Sequence, residues 1–277
     1  MAQIHTARND LAIKLKNTRR KNRTRPLIFF SIALVVCCIL NRYVTTHSLH
    51  DFPALLQLVL LLFPPCFGLY SLIRIFGLLF SGKGRARDEE GVLQSGLDGE
   101  RTALSLLEKL GNDCHIFTNL RIPYQGREAE TDLIVITPAG ITIVEVKNSK
   151  GLITGDASDP ELSQRKYLRN GDFHDKCFRN PFRQVGTHVY RLKGYLRQQG
   201  VQVPHIRTCA FFTNPEADLQ ITDEQGILRE KCPVFLHNEG DRLIRYLCRS
   251  DTPFPGRACQ KSVRALEALR KAGLKQG

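Results

Sequence analysis

The sequence predicts an α/β domain preceded by two apolar segments long enough to be considered as membrane spans. Three observations lead there. Beyond about residue 95, helix-spaced and β-type stretches follow in the order α-β-β-β-α-β. Between residues 26 and 80 the chain is mostly apolar. The formal charge of +13 is unevenly spread, with 13 Lys/Arg against 5 Asp/Glu in residues 1–90 and 27 against 22 in residues 91–277. The basic excess therefore sits mainly at the N-terminal end, and the remainder has the balance of an ordinary solvated surface.

Residues 1–25 form a polar, basic arm containing Lys14, Lys16, Arg19, Arg20, Lys21, Arg23 and Arg25. Such an arm suits nucleic acid, but the apolar runs behind it favour a role in topology and lipid-headgroup contact. About 26–44 is the first run. About 52–73 is the second, with 22 residues and no charge. A bilayer needs about 20 mostly apolar residues in a helix, so the second run suffices and the first is marginal. Pro64-Pro65 kinks the second run or marks a re-entrant segment. A cleavable signal peptide would need a small-x-small site, and none is evident. Lys/Arg crowd before the first run, and Lys83, Arg85 and Arg87 follow the second, while Arg42 stands alone between them. The positive-inside rule then puts both ends in the cytoplasm of what the sequence suggests is a bacterial inner-membrane protein. Residues 81–94, charged and glycine-containing, read as a linker.

The soluble domain is expected over 95–250, with 251–277 as a helical tail. Leu104, Leu107 and Leu110 share a stripe on a helix over 97–110, which Gly111 stops. Residues 114–122 are expected as a strand. Two further strands, near 131–137 and 141–147, are joined by the Pro138-Ala139-Gly140 turn as a hairpin. Residues 151–179, polar and glycine-containing, are expected as loop. Pro181 opens a helix to Gln199, which Gly200 ends. Residues 206–213 and 234–236 read as strands, and 241–249 and 260–272 as helices. The nine cysteines are scattered, none at C-x-x-C spacing, which argues against a zinc ribbon or a disulfide framework and fits a reducing compartment.

The chemistry-bearing residues lie on the hairpin. Strand side chains alternate, so Glu145 and Lys147 face the same way. The turn carries Asp132 back toward them. Two carboxylates and a lysine at one sheet end suit a hard divalent cation and an activated water beside a phosphodiester. Glu145 and Lys147 taken alone would read equally well as a solvated edge pair. Glu100 alone would be a first-turn acid favoured by the helix dipole, and Asn180-Pro181 an ordinary helix start.

The order Gly99-Glu100, Asp132, Glu145-x-Lys147 and Asn180-Pro181-Phe182-Arg183-Gln184 resembles the nuclease-related domain, NERD, of the PD-(D/E)XK nuclease-like superfamily. The resemblance covers roughly residues 95–213. It implies a restriction-endonuclease-like α/β/α core with a mixed central sheet, and a metal-dependent phosphodiester-cleaving site. Carried over by position, Asp132, Glu145 and the Val146 carbonyl would hold Mg2+ or Mn2+, with waters completing the shell. Lys147 would orient the attacking water or steady phosphoryl charge. Glu100 would support the ligand shell, and Gln184 would position the water or a phosphate. The start of the Pro181 helix would add backbone N–H groups. Lys150, Asn180 and Arg183 are expected nucleic-acid contacts. Tyr167 or Phe173 stands for the aromatic residue the family often has after its E-x-K strand.

Arg165, Lys166, Arg169, Lys176 and Arg179 are interleaved with Tyr167, Phe173 and Phe178, as in single-strand binding grooves, although such a run also describes plain surface. His174 and His188 lack metal-ligand spacing and read as solvated or core residues. The leading expectation is a membrane-anchored nuclease acting on nucleic acid, DNA rather than RNA from the superfamily. The alternative is a membrane-tethered module that binds nucleic acid or a protein without turnover.

Overall fold

A computed structural model describes residues 1–7, 9–20, 89–168, 170–249 and 254–275, with isolated positions between 28 and 73. It comprises two units, Met1–Asp10 with Ser95–Gly277, and Leu11–Gln94. The expected spans, about 26–44 and 52–73, lie almost wholly outside the described residues. Among the described residues no helix is long and apolar enough to cross a membrane. Residues 10–20 form helix α1, and 89–107 form α2. The expected linker is thus helical from 89 on. The good helix formers Glu89, Glu90 and Leu93 outweigh the cost of the single Gly91.

The larger unit is built on a six-stranded mixed sheet. Its strands are β1 (Gln3–Thr6), β2 (His115–Tyr124), β3 (Arg127–Thr137), β4 (Gly140–Lys147), β8 (Ile206–Phe212) and β10 (Val234–Leu236), side by side in that order. β2, β3 and β4 pair antiparallel. β1 joins β2, β8 joins β4, and β10 joins β8, all in parallel. The hairpin and the strands at its flanks stand where the sequence placed them. Their apolar runs are β-branched, and the turn between Thr137 and Gly140 sets the register.

Alternation along β3 and β4 gives the sheet two apolar faces. Ile134, Ile136, Ile141 and Ile143 face helices α3 (Pro181–Gln198) and α6 (Gly256–Lys275) through Phe182, Val185, Leu192, Leu196 and Leu266. Leu133, Val135, Val144 and Val146 face α2 and α5 (Gly240–Cys248) through Ala103, Leu107, Leu243 and Leu247. Helices on both faces of a mixed sheet make an α/β/α sandwich, which fits a nuclease-like core. Each fully buried Ile contributes about 1.5–3 kcal/mol. α6 packs into this core, so the expected C-terminal tail is an integral wall of the domain.

The sequence reading missed two features. The first residues of the basic arm are an edge strand. Gln3 N–H donates to Cys114 O at 2.8 Å, Ala7 N–H donates to Thr118 O at 3.2 Å, and the His5 ring stacks on Phe117 with centroids 4.5 Å apart. Four residues of mixed polarity give too short an alternation to signal a strand; pairing with β2 supplies what propensity does not.

The expected loop 151–179 is instead three strands, β5 (Gly151–Asp156), β6 (Glu161–Tyr167) and β7 (Phe173–Arg179). With β9 (Ala217–Thr222) they form a second sheet in the order β7-β6-β5-β9. Only Ile153, Leu162 and Gln164 of these strands are deeply buried. A sheet polar on most of both faces hides its period of two. A short helix, α4 (Ile227–Glu230), precedes β10.

The parallel strands β4 and β8 run out of the main sheet side by side and become β5 and β9, which are again parallel neighbours. Thr213 N–H donates to Lys147 O at 2.9 Å, and Asn214 Nδ2 donates to Asn148 Oδ1 at 3.0 Å, holding the crossing together. α2 is fastened to the same crossing, where Asn148 Nδ2 donates to Ser95 O at 2.7 Å. A Cβ at Gly99 would lie 2.7 Å from the Asn148 Cβ, so only glycine permits this approach. At Gly151 φ is +87°, and a Cβ would lie 2.2 Å from Arg165 O.

Candidate active site

The site forms where β3 leaves β4. Their pairing ends at Leu133–Val144, and Asp132 stands one residue beyond it, across from Glu145. On its other side, the β2–β3 ladder skips the rung between Asn119 and Asp132. Asn119 has φ of 51°, a left-handed conformation that Asn tolerates better than most residues. With β3 turned away, the Val146 N–H is left without a backbone acceptor there and donates to Asp132 Oδ2 at 2.9 Å. Within one strand residue the N–H and C=O point to the same side. The Val146 carbonyl is therefore directed toward the same gap.

Glu145 is 2% exposed. Lys147 Nζ donates to its Oε1 at 2.8 Å. Its other oxygen, Oε2, is buried and accepts no hydrogen bond among the described residues; His188 Nε2 stands 3.6 Å from it. His188 Nδ1 in turn lies 3.3 Å from Thr131 Oγ1. Glu100, from α2, accepts from Asn119 Nδ2 at 3.0 Å and from Asn9 Nδ2 at 2.8 Å.

These groups perturb one another. Burial pushes the Asp132 carboxyl well above the usual range. The Glu145 carboxylate pushes it further, and Lys147 and the Val146 N–H pull it back only in part. Burial alone would lower Lys147, but the Glu145 and Asp132 carboxylates outweigh it and raise the ammonium above its ordinary value. Burial lowers His188 against the attraction of Glu145, and the nearby Lys147, Arg191 and Arg179 add to the lowering. Burial raises Glu100, and the amides of Asn119 and Asn9 oppose it. Two enclosed carboxylates beside one lysine leave an excess of negative charge, which a proton or a cation must balance.

α3 contributes the far wall. Gln184 sits in its first turn, with Oε1 buried and unpaired among the described residues. His188 follows one turn later on the same face. Arg191, three residues on, has a buried Nη1 without a hydrogen bond among the described residues.

Asn180, expected to touch nucleic acid, is instead the structural cap of α3 and is 0% exposed. Its Oδ1 accepts from Phe182 N–H at 2.9 Å, and its Nδ2 donates to Ala157 O at 3.1 Å and Asp159 O at 2.8 Å. No polar atom of that side chain is left for a ligand. Lys150 and Arg183 are exposed, the former 3.8 Å from Glu216 and the latter donating to Ser158 O at 3.1 Å. Tyr167 and Phe173 pair across β6 and β7 at the hairpin tip, 61% and 53% exposed.

The structure thus brings Asp132, Glu145, Val146 and Lys147 together, with Glu100 behind and Gln184 on the facing helix. It adds His188, Arg179, Arg191 and Asn119, which the sequence reading did not place there. The spacing Gln184-x3-His188-x2-Arg191 carried a signal for two of them, since it keeps all three on one helical face.

Residues 95–213 match the family model of the nuclease-related domain, NERD. That segment holds the Asp132–Glu145–Lys147 cluster, α3, and the strands from β2 to β8, while β9 lies beyond it. The chain is also 30% identical over 128 residues to an uncharacterized protein of Bacillus anthracis, an overlap of 45% of this chain and 55% of that protein. It therefore spans about half the length of the curated relative it matches. No solved structure matches the chain.

The NERD segment fits a hard cation by its donors. It offers two carboxylates, a carbonyl directed at the same gap, and in Glu145 Oε2 a buried acceptor without a hydrogen bond among the described residues. Among the described residues no three His, Cys, Asp or Glu side chains converge to hold an ion by themselves. Magnesium characteristically takes one or two carboxylates and keeps its waters, so the smaller set suits it better than zinc.

Proposed function

We propose that this protein is a metal-dependent nuclease that hydrolyses nucleic-acid phosphodiester bonds, DNA before RNA. In this reading the apolar segments at about 26–44 and 52–73 hold it to a membrane with the NERD domain on the cytoplasmic side. The observation that carries the proposal is the enclosed pair Asp132 and Glu145, unbalanced in charge and flanked by Lys147. The membrane part rests on the 22 uncharged residues of the second segment and on the basic flanks.

Asp132, Glu145 and the Val146 carbonyl are the groups that would hold Mg2+ or Mn2+. When bound, such an ion supplies an acidified water and a Lewis acid toward a phosphoryl oxygen. The chain's own residues do the rest. Lys147, kept protonated by its two acidic neighbours, places a fixed positive charge where negative charge grows on the phosphoryl oxygens. His188, hydrogen-bonded to Thr131, stands beside Glu145 Oε2, the oxygen that Lys147 does not touch. Gln184 presents an amide oxygen, unpaired among the described residues, able to accept from a water.

The test is cleavage of labelled DNA and RNA by the full chain in detergent, with Mg2+ or Mn2+, beside Glu145→Ala and Lys147→Ala. Activity in wild type that both variants lose supports the enzyme. Binding by wild type without cleavage, unchanged in both variants, supports a tethered binding module instead.

A further inference from the structure

The second sheet places two ammonium groups on the face it turns toward the core, with a third lysine at its edge. Leu162 and Gln164 of β6 are buried on that face, and alternation puts Lys166 beside them. β7 pairs Leu162 with Phe178, Gln164 with Lys176 and Lys166 with His174, so Lys176 and His174 share the face. Gln164 Nε2 donates to Lys150 O at 2.6 Å and ties Lys150 to the same place. Lys166 is lowered below the ordinary lysine value by burial and then by Lys176 and Lys150. Lys166 and Lys176 are diagonal neighbours across β6 and β7, near enough to repel one another. Among the described residues only Glu216 is in ion-pair range of these lysines, 3.8 Å from Lys150 and itself 71% exposed.

The opposite face is different. Arg165 there forms a two-toothed pair with Asp175, at 2.8 Å to each oxygen, so its charge is already matched. The lysine face is also continuous with the candidate active site. Lys150 follows Lys147 by three residues, at most about 10 Å along an extended chain. That is about three nucleotide steps of 3.4 Å rise. β7 ends at Arg179 and leads through Asn180 directly into α3, which carries Gln184 and His188.

We infer that Lys150, Lys166 and Lys176 form a binding site for the phosphate backbone of a nucleic acid, holding the strand beside the Asp132–Glu145 centre. The inference rests on the nuclease reading for its substrate class and goes beyond it in naming the surface that grips the strand. A backbone phosphate between the three ammonium groups relieves their mutual repulsion. Contacts of this kind position the strand without reading its sequence.

The test is fluorescence anisotropy of labelled single-stranded and duplex oligonucleotides with the full chain in detergent, in EDTA and over a range of salt. The double variant Lys166→Gln/Lys176→Gln should bind more weakly. Its slope of log affinity against log salt should shrink by about 1.4 on single strands, or about 1.8 on duplex. Lys176→Gln alone, at an exposed position, should give about half that change and guards against loss of folding. Arg165→Gln on the other face should leave the slope as in wild type. Equal slopes for wild type and the double variant overturn the inference. So does a loss seen only on anionic lipid vesicles and not on nucleic acid. Cleavage by wild type with Mn2+ is scored separately. Changed slopes without cleavage keep the lysine site and sink the nuclease reading; cleavage with unchanged slopes does the reverse.

Discussion

Replacing Asp132 with Asn removes one of the two enclosed carboxylates but keeps an oxygen that can accept from the Val146 N–H. Extending the Leu133–Val144 register by one residue sets Asp132 opposite Glu145. Directly opposed strand residues have Cβ atoms roughly 5 Å apart. At an effective dielectric constant of about 20, two negative charges at that separation repel by about 3 kcal/mol. Lys147 offsets part of this, so Asp132→Asn should stabilise the fold by about 1–3 kcal/mol near pH 8 in EDTA. For a domain of this size that is a rise in Tm of roughly 2–10 °C.

The pH dependence follows from the direction of the shift. The folded Asp132 binds its proton more tightly than the unfolded chain does. In wild type, therefore, stability falls as pH rises from the ordinary Asp value toward the raised folded value. The variant lacks that fall, so the two proteins should converge at low pH and separate above it. Saturating Mn2+ should reverse the ranking, because the ion stabilises only the chain that binds it. Thermal unfolding at several pH values, with EDTA and with Mn2+, reads all of this. A variant less stable than wild type in EDTA at pH 8, or one still stabilised by Mn2+, refutes the reasoning.

Asn180→Ala should cost about 2–4 kcal/mol in urea unfolding, since it removes the α3 cap and strips donors from buried carbonyls. A loss under 1 kcal/mol would mean that the cap is dispensable. Gly99→Ala should destabilise by about 1–3 kcal/mol through overpacking against Asn148, and a neutral change in Tm would contradict that close approach. His188→Ala should weaken Mn2+ binding by about 10–100-fold by calorimetry while the fold survives, as expected for a residue that orients a ligand. Affinity equal to wild type would remove His188 from the site.

The sequence carried the candidate cluster because its residues lie on a short-range hairpin. A period of two and a Pro-Ala-Gly turn suffice to set Asp132, Glu145 and Lys147 together. The α3 start was equally readable from Asn180-Pro181, but not what Asn180 does, since whether a cap is buried depends on what packs over it. β5, β6 and β7 escaped because polar residues occupy both faces and leave no alternation to see. β1 escaped because its partner strand lies more than a hundred residues away. His188 read as an ordinary helix residue until α3 was laid on the Ile134–Ile143 face, which turns it toward Glu145.

Electron paramagnetic resonance of Mn2+ with the full chain tests the central claim most directly. The account requires Mn2+ to bind wild type, and this binding to be lost in both Asp132→Asn and Glu145→Gln. Wild type that leaves the Mn2+ signal free, or variants that bind the ion as wild type does, would show that these carboxylates serve some other purpose.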